Sequence, residues 1–169
     1  MLVLALSVGI LAGLWTWLTV ASFSALKIVV WITFIGWATF FVNGGDRGAV
    51  VKSFVPLAVG AFLGWCCIMG MNLLGGGFNL VLLSFLVGLA AFIIVEITRF
   101  PLLSSAPSQF YGFASFFGAY FGKSFGEAGP HAVVWLVVAS LLAGVLVGYV
   151  FCVRTAKSEK GGIGLAGAA

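Results

Sequence analysis

The sequence predicts an all-α, polytopic membrane protein with six transmembrane helices, and three observations carry this prediction. Of the 169 residues, 63% are hydrophobic and only 7% are charged, whereas soluble domains carry about 25% charged residues. The mean hydropathy is +1.25. Charged residues divide the chain into apolar stretches of about 20 residues or about twice that, and about 20 residues cross a bilayer. This composition excludes an ordinary soluble enzyme, a nucleic-acid-binding protein and a disordered chain.

The first half of the chain predicts four of the six helices. Residues 1–26 are uncharged, and so are residues 28–45, before a polar loop with charges over residues 46–52. The next uncharged stretch, residues 53–95, is long enough for two helices, with the glycine run 75–77 as the turn between them. Residues 1–26 lack a positively charged start and exceed the roughly 7–15 apolar residues of a secretory signal, so they predict an uncleaved helix. The alternative is a signal cleaved after Ala21 or Ser24.

The second half completes the set. Glu96 and Arg99 close the fourth helix, because Pro101 prevents it from continuing. The fifth helix is predicted over about residues 108–126 and the sixth over about residues 131–153.

The distribution of Lys and Arg predicts the orientation. The face that holds both termini receives six of these residues, and the opposite face receives two, Lys27 and Lys123. Because cytoplasmic loops carry the excess of positive charge, both termini are predicted to be cytoplasmic. The six-helix domain is then residues 1–153, followed by a cytoplasmic tail over residues 154–169. The six cytoplasmic cations are Arg47, Lys52, Arg99, Arg154, Lys157 and Lys160.

An aromatic-glycine pattern occurs twice. Residues 34–41 and residues 110–117 are identical at five of eight positions, at an offset of 76. Pairs of small residues four apart recur in the same order, at offsets of 75 and 84. These pairs are Gly9 and Gly13 with Ser84 and Gly88, and Gly60 and Gly64 with Gly144 and Gly148.

The matches predict a duplicated three-helix unit, with one copy over about residues 1–74 and the other over about residues 78–153. Because each unit crosses the membrane an odd number of times, the copies point in opposite directions and form an inverted repeat. The alternative is ordinary six-helix packing, since pairs of small residues are common in membrane helices.

The doubled pattern also carries a resemblance. With the sequence Ile-Leu-Ala-Gly-Leu-Trp at residues 10–15 and Pro107 three residues before Phe110, the chain resembles the YcdZ-type bacterial inner-membrane proteins, a family grouped as a domain of unknown function. The resemblance covers roughly residues 5–153. It implies a small, multi-pass protein of the bacterial inner membrane, and it supplies no activity, substrate or catalytic residue.

The second and fifth helices contain the best predicted site. Their glycines bare the backbone to another helix or a solute. In two inverted copies, equivalent aromatic rings lie at comparable depth, where they form a hydrophobic constriction. The alternative is that the glycines permit helix packing and the rings fill the bundle or face lipid. The predicted path consists of Phe34, Gly36, Phe40, Phe110, Gly112 and Phe116.

Asn43, Glu96 and Arg99 are candidates for a gate or for coupling. Glu96 is the one carboxylate in the apolar portion of a predicted span, where an ionisable residue indicates a function. Arg99 follows at i+3, so an interfacial ion pair is the alternative. Asn43 ends the second helix as a C-cap or lines a gate. Residues 104–109 provide an N-cap or line a cytoplasmic vestibule.

The residue inventory favours transport without chemistry. One histidine and four carboxylates do not supply a metal site or a hydrolytic centre, so we predict no catalytic residue, metal or cofactor. The lack of charge at mid-membrane favours a channel or facilitator for a small neutral or weakly polar solute, working as a homo-oligomer in the bilayer. The alternatives are a small transporter in which Glu96 carries a proton, and a structural or assembly protein without transport.

Overall fold

The computed structural model describes the backbone of residues 2–75 and 77–166 and the side chains of residues 6–22, 25–75 and 77–152. The described backbone is all-helical, with six principal helices and no strand, so the predicted all-α class and the number of helices are confirmed. The helices are α1 (Leu2–Ala21), α2 (Val30–Val42), α3 (Arg47–Gly75), α4 (Leu80–Glu96), α5 (Ala106–Phe121) and α6 (Pro130–Ala166).

Short helical turns connect some of these elements. One turn, Phe23–Leu26, follows α1, and the 3-10 turns Ile97–Arg99 and Pro101–Leu103 join α4 to α5. The side chains of Arg154, Lys157 and Lys160, which count toward the predicted orientation, lie outside the described residues.

Helix length and composition indicate a membrane protein. The segments Arg47–Gly75, Leu80–Arg99 and Pro130–Cys152 are long and apolar enough to cross a bilayer. Leu6–Ala21 and Val30–Val42 are shorter apolar helices.

The start of α3 differs from the prediction because of a capping residue. The Asp46 carboxylate accepts a hydrogen bond from the Ala49 N–H at 2.7 Å, which satisfies one of the free donors at a helix start. The helix therefore begins at Arg47, and Lys52 lies on it. The prediction that residues 46–52 form a loop is wrong.

Two other helix ends have equally local causes. The Asn79 side chain accepts a hydrogen bond from the Leu82 N–H at 3.1 Å and caps the start of α4. Helix α5 ends at Phe121, about five residues before the predicted end, because Lys123 (φ 49°) and Gly126 (φ 68°) adopt left-handed backbone that no α-helix continues.

Four helices form the core of the bundle. The closest packing joins α3 to α5 and α2 to α6, whereas α4 lies against α3 and α1 lies against α2. The Trp15 indole donates to the Thr33 hydroxyl at 2.8 Å and ties α1 to α2. The largest fully buried side chains include Ile32, Phe40, Leu57, Ile68, Phe116 and Leu141.

Candidate functional site

Helices α3 and α5 meet at two glycines. A Cβ placed on Gly60 would overlap the carbonyl oxygen of Gln109, and one placed on Gly112 would overlap the carbonyl oxygen of Leu57. Only glycine permits this approach, which lets each backbone lie directly on the other.

Helices α2 and α6 meet in the same way. A Cβ on Gly144 would overlap the carbonyl oxygen of Thr33, and one on Gly36 would overlap that of Leu141. Thr33 lies 76 residues before Gln109, and Leu141 lies 84 residues after Leu57. Both contacts therefore have the offsets that relate the sequence motifs.

A buried phenylalanine accompanies each crossing. A Cβ on Gly64 would lie 2.9 Å from Phe116 Cδ1, and one on Gly148 would lie 2.8 Å from Phe40 Cδ1. Both rings have 0% exposure. Phe116 stacks on Tyr120 with ring centroids 5.9 Å apart. Because glycine has no side chain, each of these two glycines leaves room for one phenylalanine ring.

The six predicted path residues have two different environments. Gly36 and Phe40 lie at the α2–α6 interface, and Gly112 and Phe116 lie at the α3–α5 interface. Phe34 is half-buried and stacks on Trp37 with centroids 6.1 Å apart. Phe110 is 39% exposed. The structure brings the four interface residues to matching positions but leaves Phe34 and Phe110 nearer the surface.

Neutral polar side chains form a cluster where α2, α3 and α5 meet, which we call the Asn43 cluster. Asn43 Nδ2 lies 3.0 Å from the Thr39 carbonyl oxygen and 3.1 Å from both Ser53 Oγ and Ser108 Oγ. Ser108 Oγ and Ser105 Oγ are hydrogen-bonded at 2.7 Å. Ser53 and Ser108 have 0% exposure. The two N–H groups of the Asn43 amide therefore donate to three acceptors, of which one lies on α2, one on α3 and one on α5.

Gln109 follows the cluster on α5 and has an unused acceptor. Its Nε2 donates to the Leu103 carbonyl at 2.8 Å, and the residue has 0% exposure. Its Oε1 is buried without a hydrogen-bond partner among the described residues. An unmet buried acceptor is costly and indicates a place for an O–H or N–H donor such as water or a solute.

Glu96 and Arg99 pair with each other at the surface. Their side chains form an ion pair and are 44% and 66% exposed, and Arg99 Nε also donates to the Glu96 carbonyl at 2.8 Å. This placement favours the interfacial ion pair over a coupling role. Among the side chains that the structure describes, every charged one is exposed or half-buried, so the interior is neutral there.

Sequence reasoning did not identify Ser53 as part of a site. The sequence marks Ser53 only weakly, because it is a single hydroxyl residue at the start of an apolar stretch. The indole N–H groups of Trp37 and Trp65 are also buried without partners in the described structure, and no sequence pattern marks them. The described residues contain no group of three His, Cys, Asp or Glu that would hold a metal ion.

One family model matches residues 5–155, which is most of the chain, and its description is a protein of unknown function (DUF1097). The chain belongs to the DUF1097 family. No curated protein and no solved structure matches it. The DUF1097 region contains both glycine crossings and the Asn43 cluster. The match confirms the expected membership of a family of unknown function and leaves the YcdZ-type assignment a prediction.

Proposed function

We propose that this DUF1097 protein is a channel or facilitator of the bacterial inner membrane for a small neutral or weakly polar solute. The observation that carries the proposal is the partly buried Asn43 cluster together with Gln109 Oε1, which has no hydrogen-bond partner among the described residues. These groups offer hydrogen bonds to a solute that leaves water, and they carry no charge to offset the desolvation of an ion. The neutral interior of the described bundle supports the same selectivity.

The proposed framework is an inverted repeat of residues 1–74 and 78–153 with both termini in the cytoplasm. The two glycine crossings support it, because the contact of Gly60 with Gln109 corresponds to that of Gly144 with Thr33 at the repeat offsets. Inverted copies of this kind build substrate paths at their interface near mid-membrane.

Phe40 and Phe116 are the two proposed constriction points, one in each helix pair, and they are flanked by Phe34 and Phe110. Both constriction rings are fully buried beside Gly148 and Gly64. The rings fill the core in the conformation described, so passage requires them to rotate. Smaller side chains at both positions remove that barrier.

Solute flux into liposomes tests the proposal. The full chain is reconstituted, and swelling in glycerol or urea is followed by stopped-flow light scattering beside a potassium flux assay. We expect faster swelling than in empty liposomes, no potassium flux, and swelling accelerated severalfold by Phe40→Ala with Phe116→Ala. The matched control is Phe85→Ala with Phe92→Ala, two rings on α4 that are 67% and 64% exposed, which leaves the rate unchanged.

Swelling no faster than in empty liposomes, for the wild type and both double variants, contradicts the proposal. One observation then favours a second function, assembly through α1. A Cβ on Gly9 or Gly13 would meet nothing within 4 Å, and Leu6, Ile10 and Leu14 on the same helix are 56–63% exposed. An open face with small residues suits helix association between copies in a membrane, and it also supports the proposed homo-oligomer.

A further inference from the structure

An apolar groove lies between α4 and α5 at the end of the bundle opposite the Asn43 cluster. It has a volume of about 380 Å³, within the range of ligand sites in proteins. Since α4 lies at the edge of the bundle, the groove opens sideways toward the membrane. Its walls are formed mainly by Leu80, Leu83, Val87, Phe113, Phe117 and Phe121.

A polar pocket adjoins this groove where α5 ends. It has a volume of about 390 Å³, and Tyr120, Lys123 and Glu127 are among the residues that line it. Phe121 lines both the pocket and the groove. The apolar groove and a pocket that carries one positive and one negative charge therefore share Phe121 as a wall.

Lys123 and Glu127 can each form further hydrogen bonds with a ligand. Lys123 Nζ donates to Glu127 Oε1 at 2.7 Å, which uses one of three ammonium donors and one of two carboxylate oxygens. The side chains are 66% and 85% exposed, so the pair itself contributes little to stability. The hydrogen bond from Lys123 and the charge of Glu127 raise the pKa of the Lys123 ammonium, which therefore stays charged at neutral pH.

We infer that this surface binds a phospholipid whose headgroup carries a phosphate and a primary ammonium. One acyl chain lies in the groove between α4 and α5. The phosphate accepts hydrogen bonds from Lys123, and the primary ammonium donates to Glu127.

The charge pattern selects this headgroup over two others. A purely anionic headgroup places its charge near Glu127 and supplies no cation to pair with that carboxylate. A trimethylammonium headgroup carries no N–H to donate to the carboxylate. The phosphate with a primary ammonium satisfies both members of the pair, and the apolar groove supplies the part of the site that a free phosphate does not use.

Native mass spectrometry of the full chain in detergent tests the inference. The added lipids are phosphatidylethanolamine, phosphatidylcholine and phosphatidylglycerol with identical acyl chains. We expect phosphatidylethanolamine to bind about fivefold more tightly than phosphatidylcholine, the effect of about one hydrogen bond. Glu127→Gln abolishes that preference, and Lys123→Gln weakens the binding of all three lipids, because each of them carries the phosphate.

Two further variants isolate the parts of the site. Arg99→Gln removes a cation from a second exposed ion pair, just beyond the opposite end of α4, and leaves the lipid preference unchanged. Ser84→Phe fills the groove and weakens binding of all three lipids. Equal affinity for phosphatidylethanolamine and phosphatidylcholine in the wild type overturns the inference. So does a preference that survives Glu127→Gln, or one that Arg99→Gln abolishes equally.

Discussion

Asn43 joins three helices through one amide group. Its backbone N–H donates to the Thr39 carbonyl at 3.1 Å and closes the last turn of α2. Its side chain extends to Ser53 on α3 and Ser108 on α5. These hydroxyls are fully buried, so the hydrogen bonds form where water competes little and where a missing donor is expensive.

Asn43→Ala should therefore destabilise the bundle. Removing the amide takes a donor from two buried hydroxyls, and we expect the free energy of unfolding to fall by roughly 1–3 kcal/mol. The measurement is reversible unfolding in mixed micelles, followed by circular dichroism. Asn72→Ala, at an exposed position on α3, is the matched control and should stay within about 0.5 kcal/mol of the wild type. Equal stability of the two variants contradicts the role given to Asn43.

Sequence reasoning identified some of these residues and not their partners. Asn43 was predictable as a helix end because a glycine pair follows it, and residues 104–109 were predictable as a polar entry to α5. The contact of Asn43 with Ser53 was not predictable, because hydropathy shows where a span begins but not which face meets a neighbour. The unused acceptor of Gln109 appears only once its surroundings are packed.

The helices themselves follow from apolar length, and their ends follow from single residues. Five uncharged stretches, one of them long enough for two helices, gave six helices. Because Asp46 caps the helix, α3 begins at Arg47, earlier in the chain than predicted. The left-handed backbone at Lys123 makes α5 shorter than predicted. Hydropathy does not register a cap or a positive φ, so boundaries were the part of the fold that the sequence placed least well.

The proposed orientation places the loop between α4 and α5 in the cytoplasm and the loop between α5 and α6 outside. Single cysteines at Ser104 and Gly129, both exposed, report these two faces without changing the Lys and Arg distribution that sets orientation. The background replaces Cys66, Cys67 and Cys152 with alanine.

A membrane-impermeant maleimide applied to intact cells should label Gly129→Cys at once and Ser104→Cys only after permeabilisation. The cysteine-free background controls for nonspecific labelling. The reverse pattern means that the orientation is inverted, and labelling of both positions on intact cells contradicts the crossing of α5.

The whole bundle consists of two similar helix pairs with two outer helices that differ. Helix α4 packs on α3, where a Cβ on Gly70 would lie 3.2 Å from Leu86 Cδ1. A Cβ on Gly9 or Gly13 of α1 would meet no atom within 4 Å, so these positions do not pack against a neighbouring helix in this way. Repeated motifs in the sequence predict which helices correspond, but they do not predict how tightly each outer helix packs, because that depends on side chains outside the motifs.

The unfolding free energies of four glycine variants test most directly whether equivalent glycines hold two inverted copies together. This hypothesis of two inverted copies predicts that Gly60→Ala, Gly144→Ala, Gly36→Ala and Gly112→Ala each lower the free energy of unfolding by at least about 1–3 kcal/mol, because each Cβ meets a backbone carbonyl. It also predicts similar losses for Gly60 and Gly144, and for Gly36 and Gly112. Gly88→Ala, whose Cβ meets nothing within 4 Å, should cost nothing. A large loss at one member of a pair with none at the other would contradict the account.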